Sequence, residues 1–175
     1  YRYVKLTVLE SKDGFLPSSK EFVINGTNAD KNIALGKQCT NVVLQKDHNP
    51  NDALDGNMST YWIADNEQFP QSLTVDLEEV CTLSGIQQIF KDHDSWKFKI
   101  EGSNDELHWA VLVDNTDGIS GFDFKTPVSG EFRYIRLTIL GSAKGYWAHS
   151  CEFRVFGTEK DVVSLGGREL EDLAF

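Results

Sequence analysis

The chain has 175 residues, with 27 Asp and Glu against 17 Lys and Arg and a net charge of −10. A phosphate backbone needs clustered basic side chains, so the balance excludes nucleic acid as a partner and disfavours an anionic membrane surface. The length suits one ordinary domain with its own core; no apolar run approaches a membrane span, and the first residues lack the charged start and apolar block of a secretion signal, which leaves any signal upstream.

In chain order, the first feature is a repeat. Tyr1-Arg2-Tyr3-Val4-Lys5-Leu6-Thr7-Val8-Leu9 returns as Phe132-Arg133-Tyr134-Ile135-Arg136-Leu137-Thr138-Ile139-Leu140, and the correspondence runs without a gap to Gly26 and Gly157. Two amphipathic strands can look alike by chance, but an ungapped match through a loop marks a duplicated unit. Residues 1–26 are therefore read as the closing strand pair of a preceding module, 27–31 as a polar linker, 32–157 as a complete module and 158–175 as a tail or downstream linker. The last segment holds Gly166-Gly167 and then Arg168 to Phe175, too short to form a stable helix unless docked.

Within the module, Leu73 to Leu77, Leu83 to Phe90, Trp96 to Ile100, Trp109 to Val113 and Tyr134 to Leu140 are short, rich in β-branched and aromatic residues, and divided by Gly, Asn, Asp and Ser. Trp96, Phe98 and Ile100 alternate with Lys97, Lys99 and Glu101, and Ile135, Leu137 and Ile139 with Tyr134, Arg136 and Thr138, giving each strand one core face and one wet face. Such spacing without a helical period predicts an all-β, antiparallel sandwich. Cys39, Cys81 and Cys151 show no C-x-x-C spacing and read as small apolar residues, with a Cys39–Cys151 bridge open should the chain ends meet. Asp52, Asp55, Asn57 and Thr60 supply closely spaced oxygens around Gly56. From the residues alone, a cation loop and an Asp-Gly turn held by Asn and Thr fit equally.

Asn32-Ile33-Ala34-Leu35-Gly36-Lys37 and Ala53-Leu54-Asp55-Gly56-Asn57-Met58-Ser59-Thr60-Tyr61-Trp62 resemble the opening of a discoidin domain, the coagulation factor V/VIII type C domain. Leu73 to Leu77, Lys99 to Asp105, His108-Trp109, Arg133 to Leu137 and Glu152 to Gly157 follow in the right order, so the resemblance covers about Asn32 to Gly157 and lies in the series. The acidic, cysteine-poor sequence is most similar to the family 32 carbohydrate-binding modules appended to secreted bacterial glycoside hydrolases. The resemblance implies an eight-stranded jelly roll, a structural calcium ion and a sugar site on loops at one end. It implies side-chain oxygens from Asp55, Asn57, Thr60 and Glu152 on the calcium, with carbonyls from Asp52 and Cys151.

A sugar presents apolar C–H faces and hydroxyl edges, so its site needs an aromatic platform beside a few hydrogen-bonding groups. Two loops offer them: Lys91-Asp92-His93-Asp94-Ser95-Trp96 and Gly145-Tyr146-Trp147-Ala148-His149. His93 is expected to bond a hydroxyl, Asp94 to accept one, and Trp96, Tyr146 or Trp147 to supply the apolar face. Packing is the competing role for Trp96, on the face of Phe98 and Ile100, and for Tyr146 and Trp147, whose counterparts in the repeat are Phe15 and Leu16; His93 and Asp94 also read as a solvated turn. His149 stands opposite Ser18, which suggests that folding does not require it.

No G-x-S-x-G, H-E-x-x-H or phosphate loop is present, so the module itself is expected to be non-catalytic. The resemblance implies a secreted, periplasmic or cell-surface parent with tandem modules and a hexosaminidase or galactosidase domain, and a galactose, N-acetylgalactosamine or N-acetylglucosamine glycan as partner. A discoidin-type adhesion module for protein or lipid is the alternative; it calls for basic loops or exposed apolar spikes, which the acidic composition disfavours.

Overall fold

The computed structural model describes residues 31–40 and 48–159. The expected fragment 1–26, the linker up to residue 30 and the segment beyond 159 lie outside these described residues. In order, the elements are β1 (Gln38–Thr40), a 3-10 turn (Pro50–Leu54), β2 (Trp62–Ile63), β3 (Gln71–Ser103), β4 (Ala110–Ser142), β5 (His149–Ser150) and β6 (Glu152–Glu159).

Three of the predicted strands fall inside β3, which continues as one hydrogen-bonded ribbon where separate strands were expected. Its pairing shifts register between Asp76 and Cys81 and again between Ile89 and Asp94, so the ribbon turns corners without leaving the ladder. At the first corner Glu78 takes a φ of 73° and its N–H donates to Asp76 Oδ1 at 2.7 Å. The Asx contact holds the turn that the side-chain pattern marks only by its polarity.

These corners build two layers from one antiparallel pair. Residues 134–142 of β4 lie between 71–76 and 96–103 of β3, and β1 flanks 71–76 through Gln38↔Asp76. In the other layer, 81–89 of β3 lies between 123–132 of β4 and β6, which pairs from Cys81↔Glu159 to Ile89↔Glu152. Leu73, Val75, Phe98, Ile100, Ile135 and Leu137 meet Leu83, Ile86, Phe153 and Val155 in a single buried core. The antiparallel β-sandwich expected from alternation is the fold observed.

The face expected to be wet is partly dry. Glu101 is buried because Lys99 Nζ at 2.9 Å and Arg136 Nη2 at 2.9 Å both reach its carboxylate. Trp109 then covers Arg136, with the guanidinium carbon 3.9 Å from the ring centroid. The described start of the module meets its end, since Ile33 N–H donates to Val155 O at 2.8 Å. Cys39, Cys81 and Cys151 are nevertheless all free, so the Cys39–Cys151 bridge does not form.

Candidate functional site

The two-rung ladder of β2 and β5 fixes the site. Trp62↔Ser150 and Ile63↔His149 pair antiparallel, and Ala64 N–H donates to Ala148 O at 2.8 Å, so Tyr61 and His149 are delivered to one recess. Together with Ile63, Lys91, Asp92, Gly145, Tyr146 and Trp147 they line a recess of about 270 Å³. Both loops expected to carry the site contribute to it.

His149 forms its floor. The ring is 4% exposed and stands edge-on to Trp96 at 4.9 Å and to Phe90 at 5.9 Å between centroids. Its Nδ1 lies 2.8 Å from Trp147 O; a carbonyl only accepts, so Nδ1 carries the proton and Nε2 is left as an acceptor. Nε2 has no hydrogen-bond partner, and Asp92 Oδ2 lies 3.8 Å away. Burial holds the imidazole below its ordinary pKa, against the opposing pull of Trp147 O and Asp92, and so favours the neutral ring. Two acceptors thus stand side by side with no donor between them. At the rim, Lys91 Nζ donates to Tyr61 Oη at 3.3 Å and sits 4.4 Å from that ring's centroid.

Tyr146 is the exposed aromatic face, at 36%, with its ring offset over Trp96 at 6.2 Å and 25°. Asp94 sets the loop beneath it. Only 3% exposed, Asp94 accepts from Ser142 Oγ and, at 3.1 Å, from Lys144 N–H, while Ser142 Oγ accepts Tyr146 N–H at 2.9 Å. Burial works against the Asp94 charge, but these donors and the Ser95 N–H outweigh it and hold the carboxyl below its ordinary value. Gly145 reaches the necessary φ of 78° without a Cβ penalty.

The expected site residues therefore separate. Tyr146 and Trp147 line the recess; His93 is exposed outside it, with its backbone oxygen accepting Lys144 Nζ at 2.7 Å. Trp96 and Asp94 need correcting. Trp96 is 0% exposed, stacked on Phe90 at 4.2 Å, with Nε1 donating to Asp92 O at 3.0 Å, so it is a core residue under the platform. Asp94 turns Oδ2 to the opposite loop and is not among the residues that line the recess. The expectations missed Tyr61, Lys91, Asp92 and His149 as lining residues. Lys91 and Asp92 lay in a loop already marked by its polarity, and His149 carried a signal in its replacement by Ser18 in the repeat, whereas Tyr61 carried none.

The oxygen-rich loop adjoins this recess, since Thr60 precedes Tyr61 and Cys151 follows Ser150. Asp52 folds back to accept Asn49 N–H at 3.2 Å and caps the 3-10 turn, and Gly56 bends the chain after Asp55 with a φ of 78°. Asp55 accepts Asn57 N–H at 2.7 Å on Oδ1 and Thr60 Oγ1 at 2.7 Å on Oδ2; Thr60 Oγ1 also lies 2.8 Å from Asn57 O. One hydroxyl proton cannot serve both acceptors. Glu152 is 0% exposed; its Oε2 accepts Arg154 Nε at 3.2 Å, while Oε1 has no partner. Burial, and the nearby charge of Asp55, raise its pKa despite Arg154 and the Gly56 N–H. A buried carboxylate oxygen without a donor, beside a second carboxylate and amide and hydroxyl oxygens, fits a hard cation. Among the described residues, no three His, Cys, Asp or Glu side chains cluster as a metal site, so such an ion would depend on Asn, Thr and carbonyl oxygens as well.

A second recess, about 300 Å³ beside Trp109 and Phe132, lies at the far end of the 96–103 run. Its polar groups are already engaged: Asp105 accepts Leu107 N–H, His108 N–H and His108 Nδ1, and the Asn104 amide bonds Glu131 O and Arg133 N–H.

The architecture is an antiparallel sandwich with a recess lined by residues of its loops. The chain belongs to the F5/8 type C domain family, whose model matches residues 37–153. No curated protein matches it. Among solved structures it is similar to a family 32 carbohydrate-binding module of the Clostridium perfringens family 89 glycoside hydrolase in complex with GlcNAc-α-1,4-galactose, at 22% identity over 79% of this chain and 100% of that one, with a TM-score of 0.67. Chitosan-binding module 2 of a Paenibacillus sp. IK-5 chitosanase/glucanase, in complex with chitotriose, is 23% identical over 72% of this chain and 100% of that one, with a TM-score of 0.66. The C. perfringens enzyme with its substrate matches at 22% identity over 73% of this chain and 15% of that one, with a TM-score of 0.65. At these identities the likeness is one of fold.

Proposed function

We propose that the module is a non-catalytic glycan binder, carried by a secreted or cell-surface glycoside hydrolase, that grips a galactose- or N-acetylhexosamine-containing sugar in the Tyr61–His149 recess. The observation that carries the reading is the buried His149 Nε2, an acceptor without a donor, beside the Asp92 carboxylate. Two adjacent acceptors suit two donors on neighbouring ring carbons of a pyranose, such as vicinal hydroxyls or a hydroxyl and an acetamido N–H. Lys91 and Tyr61 supply donors at the rim, and Tyr146 offers a face to sugar C–H groups. Among the described lining residues Asp92 is the single carboxylate, where glycoside hydrolysis ordinarily takes a pair. Sugar-bound relatives of the same fold, one of them a module of a glycoside hydrolase, support the reading.

A calcium ion held by Asp55, Asn57, Thr60 and Glu152, with the carbonyls of Asp52 and Cys151, is part of the proposal. When bound, it supplies positive charge to the unpartnered Glu152 oxygen and ties the loop before Tyr61 to the start of β6.

The test is calorimetric titration of galactose, N-acetylgalactosamine and N-acetylglucosamine into the protein and its Tyr146→Ala and Asp92→Asn variants. Binding of at least one sugar, weakened about tenfold by either change, is the expected result. A wild-type protein that binds none of a broad glycan panel, or variants that bind like the parent, overturns the assignment.

A further inference from the structure

We infer that the recess continues onto a second sugar-contacting shelf made by His93 and Phe122, so that the module takes a glycan of two or more units rather than a single terminal sugar. The inference rests on the glycan-binding reading above and extends it. Phe122 is 48% exposed, although Phe124, two residues on, packs inward at 5.4 Å from Phe98. The ring is therefore about half open to water and stands outside the core cluster. Beside it stands the exposed imidazole of His93, 6.4 Å between centroids and tilted by 48°. An open aromatic face next to one planar hydrogen-bonding group is what a pyranose needs on its apolar side and its edge.

The shelf is set firmly in place. Asp94↔Gly121 and Ser95↔Ser120 pair the strand after His93 with the hairpin that carries Phe122, and Lys144 Nζ holds the His93 oxygen at 2.7 Å. It also adjoins the recess, since Lys144, which bonds the His93 oxygen, is followed directly by Gly145 and Tyr146, both lining residues. Ile119, also exposed, extends the apolar border. Two exposed apolar side chains make a patch too small for a protein interface, and one imidazole is too little to orient a separate ligand. The next unit of a chain already anchored in the recess needs neither, because its arrival is intramolecular and a modest contact suffices.

The experiment compares N-acetylglucosamine with its β-1,4-linked trimer, and galactose with GlcNAc-α-1,4-galactose, by calorimetry on the wild-type protein and on Phe122→Ala and His93→Ala. The longer ligand of at least one pair is expected to bind about three- to tenfold more tightly than its monosaccharide, and Phe122→Ala to abolish that gain while leaving monosaccharide affinity unchanged. Unfolding midpoints of the variants should match the parent because both side chains are exposed. Equal affinity for short and long ligands, or a Phe122→Ala variant that keeps the gain, overturns the shelf but leaves the recess standing. Failure of every sugar to bind the wild-type protein overturns both.

Discussion

In the proposed glycan site, Asp94 is a positioning residue that holds the Tyr146 loop without facing the recess. In Asp94→Ala, Ser142 Oγ and Lys144 N–H lose the acceptor that ties the 142–146 turn to β3. A hydrogen bond to a charged group contributes about 1.5–3 kcal/mol, and Lys144, being exposed, regains water for its N–H, so the net loss is about 2–4 kcal/mol. For a domain of this size that lowers the unfolding midpoint by about 10 °C. Sugar affinity should fall with it, because Tyr146 N–H hangs on Ser142 Oγ. The pH dependence has a defined sign. The folded Asp94 carboxyl lies below its ordinary value, so its contribution is fully present above the unfolded carboxylate pKa of about 4 and is lost as pH falls through the lower folded value. Asp94→Ala should therefore flatten part of the acid limb of the stability curve and destabilise mainly at neutral pH. Scanning calorimetry between acid and neutral pH, with sugar titration at neutral pH, measures both. A variant that unfolds within 1–2 °C of the parent yet loses sugar binding, about 0.5 kcal/mol or less by the same scaling, would refute the positioning role and restore Asp94 as a direct contact.

The stacked pair should divide in the same two assays. Trp96→Ala empties a fully buried site and should cost about 3–5 kcal/mol, whereas Tyr146→Ala should leave the midpoint nearly unchanged and weaken sugar binding about tenfold; equal effects on stability would show that the platform assignment is wrong. Calcium at 100 times its dissociation constant should stabilise the chelator-treated protein by about 2.7 kcal/mol, and Glu152→Gln should remove that increment, as read by thermal melts with calcium and with chelator. Gly157→Ala drives a Cβ into Thr82 O in the backbone of the paired strand, so β6 must shift at a cost of about 1–3 kcal/mol; an unchanged denaturant midpoint would contradict the closeness of that approach.

Much of the frame was legible in the chain. Alternation placed Phe98, Ile100, Ile135 and Leu137 on inward faces, because successive strand residues point to opposite sides whatever the neighbours are. Polar clusters marked both recess loops, and the pattern from Asn32 to Gly157 marked the family. The breaks inside β3 were expected as strand ends, since hydrogen bonds that carry a ladder round a corner leave no mark on side-chain type.

The surroundings of individual loop atoms were decided only by the packing. The same loop carries Asp92, His93 and Asp94, yet Asp94 is consumed by Ser142, 48 residues away, while Asp92 faces His149 and His93 turns to Phe122. Tyr61 reaches the rim through a ladder of two rungs, too short to show a period. Composition and alternation fix which face a residue occupies and which segments are turns, because those follow from local backbone geometry. Which polar atom is left without a partner depends on what distant segments bring to it: among the described residues the buried side-chain atoms so left are Trp62 Nε1, Gln88 Nε2, His149 Nε2 and Glu152 Oε1, and the proposed sugar and cation sites use the last two.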